Sequence, residues 1–174
     1  MGSRRFRILL LYANNSMFVS PPTSIALFTG ILKSAGYEVA LFDCTPYVQT
    51  DDNNPSRRVR YLQYRPFSLN ELGLRPKDSS MLDDFVNMVD EFQPGLILAS
   101  AVEDTFKQAT QLLTTITDRG IPTVVGGVFT TAAPKEAIRH PAVNMIGLGE
   151  GEQIVLDVAE RVEAHADCDD VAGL

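Results

Sequence analysis

Five short apolar runs punctuate this chain, at residues 6–12, 37–42, 96–99, 123–125 and 143–148. The first, Phe6-Arg7-Ile8-Leu9-Leu10-Leu11-Tyr12, is nearly continuous rather than alternating. An alternating strand keeps one face wet, whereas a continuous apolar run must be covered on both faces, as in a parallel sheet sandwiched by helices. The covering helices are legible between the runs. Ile25, Phe28, Ile31, Leu32 and Ala35 recur at helical spacing, as do Leu82, Phe85, Val86, Val89 and Phe92, then Phe106, Ala109, Leu112, Leu113 and Ile116, and finally Ile154, Val155, Val158 and Val162. Strands alternating with helices predict an α/β fold, a flavodoxin-like (Rossmann-type) doubly wound five-stranded parallel sheet of order 2-1-3-4-5. Its switch point falls between strands 1 and 3, so loops 14–23 and 100–105 are expected to flank a crevice at the carboxyl edge.

Local signals set the expected boundaries. Thr23 or Ser24 is the N-cap candidate of the first helix, and Gly36, Pro94 and Gly120 stop successive helices. The fourth strand ends on Gly126-Gly127, which lets the chain turn through positive φ and brings backbone without side chains to that edge. A helix beginning at Thr131 or Pro134 is expected after it. A second cluster, Gly147-Leu148-Gly149-Glu150-Gly151-Glu152, closes the fifth strand, with its two carboxylates at the amino end of the last helix, where they suit the dipole. A valine at Gly127 is expected to obstruct a ligand at this edge while sparing the core.

Residues 44–80 have no such periodicity. Pro46, Pro55, Pro66 and Pro76 are spread through Asp, Asn and Arg, and Tyr61, Tyr64 and Phe67 exceed what a plain linker needs. An irregular insertion of this length reads as a cover or docking surface packed over the sheet edge or against a neighbouring domain.

Several chemistries are excluded or disfavoured. A formal net charge of −7 argues against a nucleic-acid partner, and Arg57-Arg58-Val59-Arg60 reads as a solvated loop. No apolar run is long enough to cross a bilayer and the first seven residues lack a signal region, so no membrane partner and a cytoplasmic location are expected. Cys44 and Cys168 are too few for a zinc or iron–sulfur site, and His140 and His165 are isolated surface candidates. The stretch after the first strand, residues 12–24, holds no glycine, which excludes a dinucleotide fingerprint, and there is no Walker loop. Ser100 and Gly149 stand where a phospho-receiver needs an acid and a lysine. Ser16, Ser20, Thr23 and Ser24 are weak candidates for a flavin phosphate loop.

Taken in order, Pro21-Pro22, Gly36-Tyr37-Glu38-Val39 with Asp43, the segment 94–100, the segment 121–128 and Gly149-Glu150-Gly151-Glu152 carry a resemblance that runs over almost the whole chain. It resembles the cobalamin-binding domain that precedes the radical S-adenosylmethionine domain in cobalamin-dependent radical enzymes. The resemblance implies that Ser16, Met17, Pro22, Thr23, Ser100, Ala101, Val102, Glu103, Gly126, Gly127, Val128 and Phe129 contact the corrin or its nucleotide tail, with Gly149, Glu150 and Gly151 near the tail. It implies no catalytic residue and no metal ligand in this chain. Methionine-synthase-type domains carry Asp-x-His-x-x-Gly after strand 1; residues 14–23 hold no histidine, so cobalamin is expected base-off with no histidine ligand. The lower face is then left to water or to a side chain from residues 15–18 or 101–103, with Met17 the one soft atom. An iron–sulfur cluster and S-adenosylmethionine are expected only with a further domain, a radical S-adenosylmethionine catalytic partner in cis or in trans. The implied function is a cobalamin-binding module, residues 1–174, serving methyl transfer or radical chemistry. The competing reading is a stand-alone flavodoxin-like regulatory or interaction domain without cofactor.

Overall fold

The structure is a computed structural model that describes residues 5–15, 22–47, 61, 62, 71, 73 and 75–174. Five parallel strands, β1 (Arg7–Tyr12), β2 (Glu38–Asp43), β3 (Leu96–Ser100), β4 (Thr123–Gly126) and β5 (Met145–Ile146), lie in the order β2-β1-β3-β4-β5, the doubly wound order expected. Among the described residues the helices are α1 (Thr23–Ser34), α2 (Met81–Phe92), α3 (Glu103–Thr114), α4 (Val128–Ala132), α5 (Pro134–Ile138) and α6 (Glu152–Glu163).

The apolar runs are buried on both faces because successive side chains point to opposite sides of the sheet. Ile8, Leu10, Leu96, Leu98 and Val124 meet Ile25 and Leu32 of α1 and Ile154, Val155, Val158 and Ala159 of α6. Leu9, Leu11, Ile97, Ala99 and Val125 meet Phe85 and Val89 of α2, Ala109, Leu112 and Leu113 of α3, and Ala137 of α5. Burying a side chain of this kind is worth about 1.5–3 kcal/mol, so the two cores together hold the sheet without a staple.

Several boundaries differ from expectation, each for a local reason. The N-cap of α1 is Pro22, whose carbonyl accepts the Ala26 N–H at 3.0 Å, and Thr23 is the first helical residue. A helix starts directly after Gly127, at Val128, because the Gly127 carbonyl accepts from the Thr131 N–H at 3.3 Å and the Thr130 hydroxyl at 2.9 Å; a second begins at Pro134. β5 is only two residues, because Asn144 and Thr123 satisfy one another through their side chains, Thr123 N–H to Asn144 Oδ1 at 3.0 Å and Asn144 N–H to Thr123 Oγ1 at 3.2 Å. Val143 and Leu148 still join the core on either side of it.

Both ends of the 44–80 insertion are pinned. Tyr47 is buried, stacks on Phe42 at 5.6 Å, donates to Asp84 at 2.8 Å and receives the Lys77 ammonium at 3.0 Å. The Lys77 N–H closes the segment on the Pro46 carbonyl at 2.8 Å. Of the three aromatics expected to pack, Tyr61 is 64% exposed, whereas Tyr64 and Phe67 lie outside the described residues. The last turn of chain folds back instead: Val171 is buried beside α6 and the Gly173 carbonyl accepts the Leu148 N–H at 2.8 Å.

Candidate functional site: a cleft at the carboxyl edge of the sheet

Strand register sets two rows of residues across β1, β3 and β4 on the α1/α6 face. Tyr12 pairs with Ser100 and Ser100 with Gly126, which places two hydroxyls and a missing side chain in the outer row. Leu10, Leu98 and Val124 form the row beneath it. Ile25 and Phe28 of α1 and Ile154 and Val155 of α6 close the sides, and the enclosed cleft holds about 540 Å³. A smaller cavity of about 330 Å³ lies at the opposite edge, between the end of α3 and residues 120–123 and 141–144. Open α/β sheets bind ligands beyond the carboxyl ends of their strands, which selects the larger cleft.

The two glycines of the 126–127 pair do different work. A Cβ on Gly126 would meet nothing within 4 Å, so its absence leaves open space above Val124. Gly127 has φ +122° and a Cβ there would overlap the Ala101 carbonyl oxygen, so it is required by the backbone itself. The expectation that a valine at Gly127 spares the core is therefore corrected: the β3 and β4 exits pack too closely there, with the Ala101 N–H bonded to the Gly126 carbonyl at 3.0 Å.

The second glycine cluster is tied to the first through α4. The buried Thr130 hydroxyl lies 2.9 Å from both the Gly127 and the Gly147 carbonyls. The Thr131 hydroxyl accepts the Gly149 N–H at 3.1 Å. Gly149 has φ +77° and a Cβ there would meet nothing within 4 Å, whereas one on Gly151 would press on the Phe28 ring. Two helix amino termini reach the mouth, α1 at Pro22 and Thr23 and α6 at Gly151 and Glu152, and in neither does the N-cap residue's own side chain cap the helix. Such termini present backbone N–H groups and the positive end of the dipole, which suits a phosphodiester. Burial, and then the nearby Asp43 carboxylate, push the Tyr12 phenol up from its ordinary range, so Tyr12 is a neutral donor at physiological pH.

Of the residues singled out from sequence, Pro22, Thr23, Ser100, Ala101, Val102, Gly126, Gly127, Val128, Gly149, Glu150 and Gly151 line this cleft. Glu103 and Phe129 do not: Glu103 is exposed in the first turn of α3, and Phe129 packs on Phe106 at 4.6 Å on the other face of the sheet. Ser16 and Met17 lie outside the described residues. Asn14, at the start of the loop expected to flank the crevice, turns to the α2/α3 side, where its amide donates to Thr45 at 2.8 Å. Not named as cofactor contacts were Tyr12, Ser24, Ile25, Leu27, Phe28, Leu98, Ala99, Val124, Gly147, Glu152, Ile154 and Val155, although Ser24 was a weak phosphate-loop candidate and Gly147 and Glu152 belong to the second glycine cluster. Stepping back two residues from Gly126 and from Ser100 reaches Val124 and Leu98, so strand alternation held a signal for the floor; no local signal marks the α1 and α6 walls.

Both histidines sit away from the cleft. His140 follows α5 at the amino edge, where its Nδ1 accepts the Ala142 N–H at 3.3 Å, and His165 follows the far end of α6. Among the described residues no cluster of His, Cys, Asp or Glu is arranged to hold a metal ion, and no helix is long and apolar enough to cross a membrane.

Comparison with known proteins agrees with this architecture. The chain is 24% identical, over 99% of its length, to cytidylyl-2-hydroxyethylphosphonate methyltransferase of Streptomyces wedmorensis, and spans 32% of that protein. The structure of the radical S-adenosylmethionine methyltransferase TsrM from Kitasatospora setae with cobalamin and a [4Fe-4S] cluster bound superposes with TM-score 0.70 at 17% identity, covering 98% of this chain and 28% of that one. A CheY-like protein, TadZ of Pseudomonas aeruginosa, shares the fold with TM-score 0.55 at 12% identity, covering 91% of this chain and 99% of that one. The B12 binding domain family matches residues 59–159, more than half of the sequence. The chain belongs to the B12 binding domain family.

Proposed function

We propose that this chain is a cobalamin-binding domain whose carboxyl-edge cleft holds the nucleotide tail of a base-off corrinoid, for methyl transfer or radical chemistry by a radical S-adenosylmethionine catalytic domain in cis or in trans. The carrying observation is the gap at Gly126, a side-chain-free opening above an apolar floor, between the amino termini of α1 and α6. A flat base and its ribose-phosphate need such a path, and a Cβ at Gly126 would fill it. The residues present therefore fit the group: Gly126, Leu98 and Val124 would face the base, Ser100 and Tyr12 would offer hydroxyls, and the α1 and α6 termini would offer amides to the single phosphodiester.

When bound, the corrin supplies a cobalt able to carry a methyl group. This chain's residues would hold it at the carboxyl edge of the sheet. Val102, 49% exposed, and Val128, 73% exposed, stand at the rim as an apolar seat for the ring. The placement of His140 and His165 away from the cleft supports a corrin without imidazole ligation. With two cysteines in 174 residues, a [4Fe-4S] cluster has to come from another domain. In this reading residues 1–174 are the cofactor module.

The test is direct. Purified protein mixed with hydroxocobalamin or methylcobalamin and passed through gel filtration is expected to retain the chromophore with a base-off spectrum. Elution of colourless protein would overturn the reading and return the chain to a cofactor-free regulatory domain.

A further inference from the structure

Resting on the proposed function, and going beyond it to the identity of the corrinoid, we infer that the cleft selects the lower base, accepting an apolar benzimidazole and disfavouring a purine. The reason lies in what its depth offers. Leu98, Val124, Ile154 and Val155 are each about 5% exposed, and none has a polar side-chain atom. Several backbone groups of the glycine walls already have partners within the chain. The Gly126 carbonyl accepts from Ala101, the Gly127 and Gly147 carbonyls lie at the Thr130 hydroxyl, the Gly147 N–H donates to Val125 at 3.0 Å, and the Gly149 N–H donates to Thr131. Tyr12 and Ser100 lie one row nearer the mouth, where their hydroxyls would meet the ribose and phosphate rather than the base.

A dimethylbenzimidazole carries methyl groups on its six-membered ring, and these satisfy such a floor. An adenine of similar outline carries an exocyclic amine and ring nitrogens that lose their water without finding partners. An unmatched buried polar group weakens binding by about tenfold or more. The same floor leaves cobinamide, which has no base, without the apolar contact altogether.

The experiment measures equilibrium binding of cobalamin, the adenine-based cobamide and cobinamide to the same protein, read from retained corrinoid and its absorbance. Cobalamin is expected to bind at least about tenfold more tightly than the adenine analogue, and more tightly than cobinamide. Equal or tighter binding of the adenine analogue overturns the selectivity while leaving cobalamin binding in place. Cobalamin no tighter than cobinamide places the base outside the cleft and overturns the inference in the same way. Failure of all three to bind overturns both this and the proposed function. A Val124→Thr variant keeps the shape of the floor and adds one hydroxyl; it is expected to narrow the gap between the two bases. An unchanged ratio in the folded variant means the base does not reach this row, which also overturns the inference.

Discussion

Gly126 and Gly127 are adjacent, yet a valine at each is expected to have opposite consequences. At Gly126 an added Cβ meets nothing within 4 Å, the residue ends β4, and its side chain would stand above Val124. Replacing a strand glycine with valine removes freedom from the unfolded chain, so stability should hold or rise by about 0.5–1 kcal/mol. Binding should suffer instead, because two β-branched methyls occupy the path of the base. Overfilling a packed space costs about 1–3 kcal/mol, which is about 5- to 150-fold in affinity. At Gly127 the φ of +122° strains any β-branched residue by about 1–3 kcal/mol, and the overlap with the Ala101 carbonyl forces the β3 and β4 exits apart. A total of about 3 kcal/mol lowers Tm by about 6–12 °C for a chain of this size. Thermal unfolding and corrinoid retention measured together on Gly126→Val and Gly127→Val separate the roles. A Gly126→Val protein with parental stability and parental cobalamin affinity would refute the assignment of this opening to the ligand.

Three further outcomes follow from the same geometry. Thr130→Val keeps volume but leaves the Gly147 carbonyl without the hydroxyl at 2.9 Å, so unfolding should cost about 1–3 kcal/mol less in a denaturant titration. Cys44 is fully buried and burial, with the Asp43 charge adding, pushes its thiol up to about 12, from an ordinary value near 9. The folded state therefore keeps a proton that the unfolded state releases; the stabilisation is present below about pH 9 and falls by up to about 1.4 kcal/mol per pH unit between there and pH 12. Cys44→Ala should flatten that slope relative to the parent in pH-dependent denaturation, and a thiol reagent at pH 8 should label Cys168 well before Cys44 in the native protein. Reduced cob(II)alamin bound to the protein should show no axial-nitrogen splitting in its paramagnetic resonance, and a clear nitrogen splitting would refute binding without imidazole or base ligation.

The layer architecture was legible in the sequence because a near-continuous run such as Ile8-Leu9-Leu10-Leu11 has one physical solution, a strand covered on both sides, and helical periodicity between runs supplies the covers. Glycine spacing marked the carboxyl edge, since residues without Cβ atoms stand out in any sequence. What the sequence left open was which glycine is required by the backbone and which leaves space, because that depends on the Ala101 carbonyl, 26 positions earlier, lying where a Cβ on Gly127 would fall and not where one on Gly126 would. Phe129 had the right place in the chain but the wrong side of the sheet, an outcome decided when α4 starts at Val128 and turns the ring toward Phe106. The walls of the cleft, Phe28 of α1 and Ile154 of α6, are more than a hundred residues apart in sequence. Only the doubly wound return of the last helix onto the face of the first brings them together, and a pairing set by packing across the sheet leaves no local trace in either segment.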